Sequence, residues 1–207
     1  MKKCVVVSAA PYSDISFYKD RISEDDFVIC ADGGYVYAQN SGIIPNLIVG
    51  DFDSSAVPNT DIETIILPRE KDDTDTMYAV GQGIKRGYKE FVFLGAVGGR
   101  EDHTFANYSI LLYLKHHDCS GKILTPKSAT FILENEQFTI KNQCDKIFSI
   151  FPFACKSCGV SLRGFHYPLS SYTLKAEYPL GISNVITSDE AVVSISGGAA
   201  LVHIFSE

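Results

Sequence analysis

Leu47-Ile48-Val49-Gly50-Asp51-Phe52-Asp53-Ser54 is an apolar run that leads straight into two carboxylates one residue apart. The apolar part has no polar face, so it belongs in a sheet covered on both sides, and such sheets are parallel and alternate with helices. Ligands of open α/β sheets bind outside the carboxyl ends of the strands, where Asp51 and Asp53 fall. In an extended segment residues two apart point the same way, so the pair can converge on one hard cation such as Mg2+. The same spacing also describes a solvated acidic turn. It further introduces aspartyl-phosphate hydrolases, in which Asp51 would be the nucleophile of a metal-dependent phosphatase.

Outward from this segment, residues 5–9, 27–30, 64–67, 91–96 and 122–124 read as further strands of the same covered kind. Helical spacing fits residues 35–40, 74–86 and 104–116, with Gly42 and Gly87 as stop signals. Residues 1–125 are thus predicted to form an α/β domain with a mostly parallel sheet. Beyond them helical periodicity gives way to short strand-like runs at 130–133, 138–140, 147–151, 159–162, 172–175, 192–195 and 201–205. Residues 126–207 are predicted to form an all-β sandwich-like domain, with the hinge at Thr125-Pro126.

Three more strand exits carry polar chemistry. Lys71-Asp72-Asp73-Thr74-Asp75 opens a helix: all of Asp72, Asp73 and Thr74 suit an N-cap, but three aspartates exceed that need and invite a metal. Lys71 can meet a phosphate oxygen there as a point charge. Gly95-Ala96-Val97-Gly98-Gly99-Arg100-Glu101-Asp102-His103 offers backbone N–H groups and an Arg100 fork to a phosphate. The plainer reading makes Arg100 a surface ion pair and His103 a hydrogen-bonding residue at a helix start. Asp32-Gly33-Gly34 follows the strand ending at Cys30 and adds a fourth acidic, glycine-rich exit. Ser8, Ser54 and Ser55 read as turn or capping hydroxyls.

The 207 residues carry 25 acidic and 18 basic side chains, a net charge of −7, so a phosphate-bearing substrate needs a cation or well-placed Lys and Arg. No block of like charges suggests a nucleic-acid arm, and the apolar run 4–10 is far below the roughly 18 residues of a membrane span. The expectation is a cytoplasmic protein with small-molecule partners, no nucleic acid and no membrane. Its six cysteines are expected to be reduced thiols. Cys155 and Cys158 form a C-x-x-C pair without the second pair that a structural zinc site requires.

Together these motifs resemble the thiamin pyrophosphokinase family over nearly the whole chain. Ala31-Asp32-Gly33-Gly34, Gly50-Asp51-Phe52-Asp53-Ser54, Lys71-Asp72-Asp73-Thr74-Asp75 and the Gly95 to His103 segment occur in the family's order. Ser161-Leu162-Arg163-Gly164-Phe165-His166-Tyr167-Pro168-Leu169 and Leu180-Gly181-Ile182-Ser183-Asn184 resemble its thiamin-binding β-domain. The resemblance implies an enzyme that transfers a pyrophosphoryl group from ATP to thiamin, giving thiamin diphosphate and AMP. It implies a homodimer with thiamin sites at the subunit interface, near Ser183 and Asn184. It also implies Asp51, Asp53 and Asp75 as Mg2+ ligands and Asp102 as a partner of the thiamin aminopyrimidine. Asp32 or Asp72 would accept the hydroxyl proton, and Arg100 or Lys71 would stabilise the phosphate charge. A non-catalytic nucleotide or thiamin sensor is the remaining alternative.

Overall fold

The computed structural model describes residues 2–10, 15–53, 57–70 and 72–206. The chain divides into two compact units, Met1–Pro126 and Lys127–Glu207.

The first unit is built on six strands, β1 (Cys4–Val7), β2 (Phe27–Ala31), β3 (Leu47–Gly50), β4 (Glu63–Ile66), β5 (Glu90–Leu94) and β6 (Ser120–Thr125). They run in the order β6-β5-β1-β2-β3-β4, with every pairing among them parallel. The chain therefore steps outward from β1 to β4 in one direction, then returns to the other side of β1 for β5 and β6. That reversal opens a crevice at the carboxyl ends of β1 and β5, the place where doubly wound sheets bind ligands. The covered reading holds for β1, β2, β3 and β5 but not for the edge strand β4, where Ile66 is exposed; Val5, Val7, Val28, Cys30 and Ile48 pack with Ile15, Tyr18 and Ala38 on one side. Cys4, Phe91 and Phe93 face the other.

Three helices cover the sheet: α1 (Gly34–Asn40), α2 (Asp75–Lys85) and α3 (Glu101–Lys115). Thr74 caps α2, its Oγ1 accepting the Met77 N–H at 3.1 Å, which settles the choice among three adjacent candidates. Gly83 sits where α2 approaches the sheet most closely: a Cβ there would lie 2.6 Å from the Phe91 ring and 2.9 Å from Cys4 Sγ. A glycine that weakens the helix by propensity is what lets it dock. A 3-10 turn, Ser16–Arg21, precedes β2 without a periodic signal.

The second unit is an antiparallel sandwich. Strands β7 (Ser128–Glu134), β9 (Ile147–Phe153), β14 (Ala199–Phe205) and the two-residue β12 (Asn184–Val185) pair in the order β12-β9-β14-β7. Strands β8 (Gln137–Lys141), β10 (Ser157–Arg163), β11 (Leu169–Lys175) and β13 (Glu190–Ser196) form the sheet β11-β10-β13-β8. Alternate residues of both, among them Phe131, Phe148, Val160, Leu174, Val193 and Val202, make one core.

All six cysteines are free thiols: Cys4, Cys30, Cys119 and Cys158 are buried, Cys155 is half-buried and Cys144 is exposed. Burial pushes the Cys4 thiol up to about 12 and Cys158 to about 11. Cys30 is raised by the same cause. Cys155 Sγ lies 3.4 Å from the Ala199 carbonyl, as a weak donor.

Candidate active site

The strand exits converge on a crevice of about 530 Å3. After β1 the chain continues the sheet for a few residues: the Ser8 N–H donates to Leu94 O at 2.9 Å and the Ala10 N–H to Gly95 O at 2.8 Å. Ser8 and Gly95 are thereby fixed in the crevice wall.

After β2 the chain turns sharply at Asp32, which takes a left-handed φ of 46°. Its N–H donates to Val49 O at 2.7 Å, and the turn aims the carboxyl group into the crevice. Asp32 Oδ1 is buried and finds no hydrogen-bond partner among the described residues. Gly33 and Gly34 do not line the crevice. Gly34 is required by packing instead, because a Cβ there would collide with the Val7 carbonyl as α1 starts against β1.

After β3, Asp51 lines the crevice. Asp53 does not, which corrects the alternation argument: β3 ends at Gly50, and Phe52 adopts a φ of 50° with its ring buried. The chain is thus no longer extended between the two aspartates. Burying Phe52 turns the Asp53 backbone toward Asp51, its N–H donating to Asp51 Oδ1 at 3.2 Å, while the Asp53 side chain is exposed.

The α2 approach contributes Arg69, Asp73, Thr74, Asp75 and Thr76. Asp72 is exposed and lies outside the lining, so Asp73 takes the place expected of it. Lys71, Ser54 and Ser55 lie outside the described residues.

The β5 exit brings Gly99, Arg100 and His103, and α3 begins at Glu101, earlier than the periodicity predicted. Asp102 and His103 therefore sit in its first turn. The Arg100 fork is engaged by Asp102: Nε donates to Oδ1 at 3.1 Å and Nη2 to Oδ2 at 2.6 Å. These bonds, joined by the His103 N–H at 2.9 Å and the Arg100 charge, hold the Asp102 carboxyl down at about 2. An anion that takes the Nε–Nη2 edge of Arg100 must exchange with Asp102. Both are exposed, so the exchange is cheap.

In the second unit Asn184 is buried, and its amide is engaged by backbone at both ends. Oδ1 accepts the Tyr167 N–H at 3.0 Å and the Val185 N–H at 2.8 Å, while Nδ2 donates to Tyr167 O at 2.8 Å. It shapes a loop rather than presenting a ligand group. Ser183 is exposed at a φ of 56°, with its N–H donating to Ser149 Oγ at 3.0 Å.

The crevice thus gathers Asp32, Asp51, Asp73 and Asp75 against Arg69, Arg100 and His103. Sequence reasoning missed Arg69, Thr76 and Asn107 as wall residues, and counted Asp73 only as one of three aspartates inviting a metal. Asn107 carried a usable signal: it lies four residues after His103, on the same helix face. Its Nδ2 donates to Ala96 O at 2.7 Å, tying α3 to the β5 exit. No three His, Cys, Asp or Glu side chains among the described residues stand grouped to hold a metal. The donor set is nonetheless that of a hard cation, carboxylate oxygens that include the buried Asp32 Oδ1, which meets no hydrogen-bond donor among the described residues. No helix of the described residues is long and apolar enough to cross a membrane.

A parallel α/β unit with a crevice lined by carboxylates and guanidinium groups at its switch point, joined in one chain to an antiparallel sandwich, defines a two-unit α/β-plus-β protein. The thiamin pyrophosphokinase catalytic domain profile matches residues 18–123, and the vitamin B1 binding domain profile of the same family matches residues 136–202. The thiamine pyrophosphokinase of Bacillus subtilis (strain 168) is 26% identical over 205 residues, covering 96% of each chain. Its crystal structure superposes with a TM-score of 0.87 at 21% identity over all of both chains. Thiamin pyrophosphokinase from Candida albicans gives a TM-score of 0.83 at 15% identity, covering 100% of this chain and 89% of that one. The chain belongs to the thiamin pyrophosphokinase family. It is a transferase that makes thiamin diphosphate from thiamin.

Proposed function

We propose that the chain transfers a pyrophosphoryl group from ATP to the hydroxyethyl oxygen of thiamin, releasing AMP, in a Mg2+-dependent reaction carried out by a cytoplasmic homodimer. The observation that carries this reading is the convergence of Asp32, Asp51, Asp73 and Asp75 with Arg69 and Arg100 on one crevice at the carboxyl ends of a parallel sheet. A polyphosphate brought to a chain of net charge −7 requires that mixture of cation ligands and guanidinium groups.

The thiamin hydroxyl attacks the β-phosphorus, the bond to the α-phosphate oxygen breaks, and AMP leaves with that oxygen. The hydroxyl proton goes to a carboxylate. Asp32 is better supported for that role than Asp72, because Asp32 lines the crevice whereas Asp72 is exposed outside it. Arg100 trades Asp102 for a phosphate oxygen, and Arg69 meets the chain from the other wall. Asp51 and Asp75, both in the crevice wall, would hold Mg2+, and Asp53, exposed outside that wall, would have to turn inward to join them. A bound Mg2+ neutralises phosphate oxygens and orients the chain for in-line attack. Ser183, exposed on its left-handed turn, contacts thiamin, and Asn184 holds that turn in shape.

Incubation with ATP, thiamin and Mg2+, with and without a chelator, tests the reading by separating AMP from ADP. AMP and thiamin diphosphate in equal amounts are expected, with neither formed under chelation. Inorganic phosphate released without thiamin would instead mark a phosphatase.

A further inference from the structure

Ser8 and Thr76 meet in the crevice wall although 68 residues separate them: their hydroxyl oxygens lie 3.0 Å apart. Ser8, read from sequence as a turn or capping hydroxyl, is only 7% exposed and meets a side chain rather than a helix-start N–H. Both residues line the crevice, Ser8 at the β1 exit and Thr76 in the first turn of α2.

Two hydroxyls carry two protons, and their mutual bond uses one. The other has no acceptor among the described residues. The Thr76 backbone N–H is also one of the first-turn donors that a helix leaves without an internal partner. One residue pair therefore presents an O–H and an N–H side by side, in a wall that also carries four carboxylates. A buried donor left unmatched costs stability. The group that would satisfy it is an acceptor-only oxygen, and in this crevice that is an oxyanion.

We propose that the Ser8–Thr76 hydroxyl pair is a phosphate-oxygen subsite for a nucleoside polyphosphate. The inference rests on the reading of the crevice as a Mg2+·ATP site and adds two neutral donors to it. Neutral donors suit this place, because they hold a phosphate oxygen without competing with Mg2+ for the carboxylates. The two hydroxyls substitute for one another: with either removed, the survivor no longer donates to its neighbour and is free to donate to the ligand.

The test is calorimetric titration of Mg2+·ATP into the wild type, Ser8→Ala, Thr76→Val, Thr76→Ser and the double variant Ser8→Ala/Thr76→Val, with thiamin binding and thermal unfolding measured on each. Each single loss is expected to weaken ATP binding about 3-fold or less, and the double loss about 10-fold or more. Thr76→Ser should bind within about 2-fold of the wild type, and thiamin affinity should be unchanged throughout. A double variant that binds ATP as tightly as the wild type overturns the subsite, as does a parallel loss of thiamin affinity, which would mark general damage. A wild type that binds no ATP overturns the crevice reading itself, and this inference with it.

Discussion

Asp26 keeps its charge with no part of its side chain exposed. Its carboxylate accepts from Lys3 Nζ at 2.6 Å, the Ser23 N–H at 2.8 Å and the Lys3 N–H at 3.1 Å. Burial pushes its pKa up, but these bonds and the Lys3 charge together pull it below the ordinary carboxylate value. Lys3 is pushed down by burial and raised on balance by Asp26. The depressed Asp26 stabilises the fold above about pH 3.9 and ceases to do so as pH falls through its lower folded value. The raised Lys3 contributes below about pH 10.4 and is lost as pH rises through its higher folded value. Asp26→Asn should therefore cost about 2–4 kcal/mol at neutral pH in urea unfolding. That penalty should shrink in acid, and a penalty independent of pH would contradict the pairing. No sequence pattern announced this bond, since its partners lie 23 residues apart. Asp51 was legible because its strand was, whereas the fate of Asp53 depended on whether the Phe52 ring would be buried, a tertiary fact.

At the scale of the elements, β14 and β7 register His203 opposite Thr130, with His203 Nδ1 2.9 Å from Thr130 Oγ1. Burial lowers the His203 pKa. In the unfolded chain the ring titrates near 6.5, so between that value and its lower folded one the unfolded state binds the proton that the sandwich refuses. Stability from this source is full above about pH 6.5 and is lost as pH falls. The unfolding free energy should decline between pH 7 and pH 5, and His203→Gln should flatten that decline. An unchanged slope in the variant would place the titration elsewhere. The long apolar strands and α2 could be read from periodicity, because burial on two faces or one stripe writes itself into composition. The 3-10 turn and the two-residue β12 could not: they are too short to have a period, and β12 exists only because β9 offers it an edge. The start of α3 was read three residues late because Glu101, Asp102 and His103 add no apolar position, yet that first turn sets the Arg100–Asp102 pair.

For the molecule as a whole, the change from covered parallel strands to alternating antiparallel ones made the α/β-plus-β fold class legible. What stayed hidden was the reversal at β1, since strand order is decided by which edges pair and not by any one strand's residues. The same hidden order chose Arg69, Asp73 and Asn107 for the crevice wall. Among the described residues, the buried apolar core contains no group proposed to hold the metal. A chelator should therefore abolish AMP formation while leaving the thermal midpoint of the unliganded protein unchanged. A midpoint that falls with chelation would make the cation part of the fold.

The cysteines decide how the protein can be handled at the bench. With Cys4 held at about 12 and Cys158 at about 11, thiolate at either is scarce near neutrality, and burial shields Cys30 and Cys119 as well. Cys144 alone is fully open to solvent, with Cys155 partly so. A brief maleimide treatment of the native enzyme should attach one dye per chain, at Cys144, with all six sites reacting only after denaturation. Peptide mapping of the labelled chain checks this. A reporter placed there sits in the loop between β8 and β9, so a single dye would mark the sandwich and leave the thiols of the α/β unit untouched.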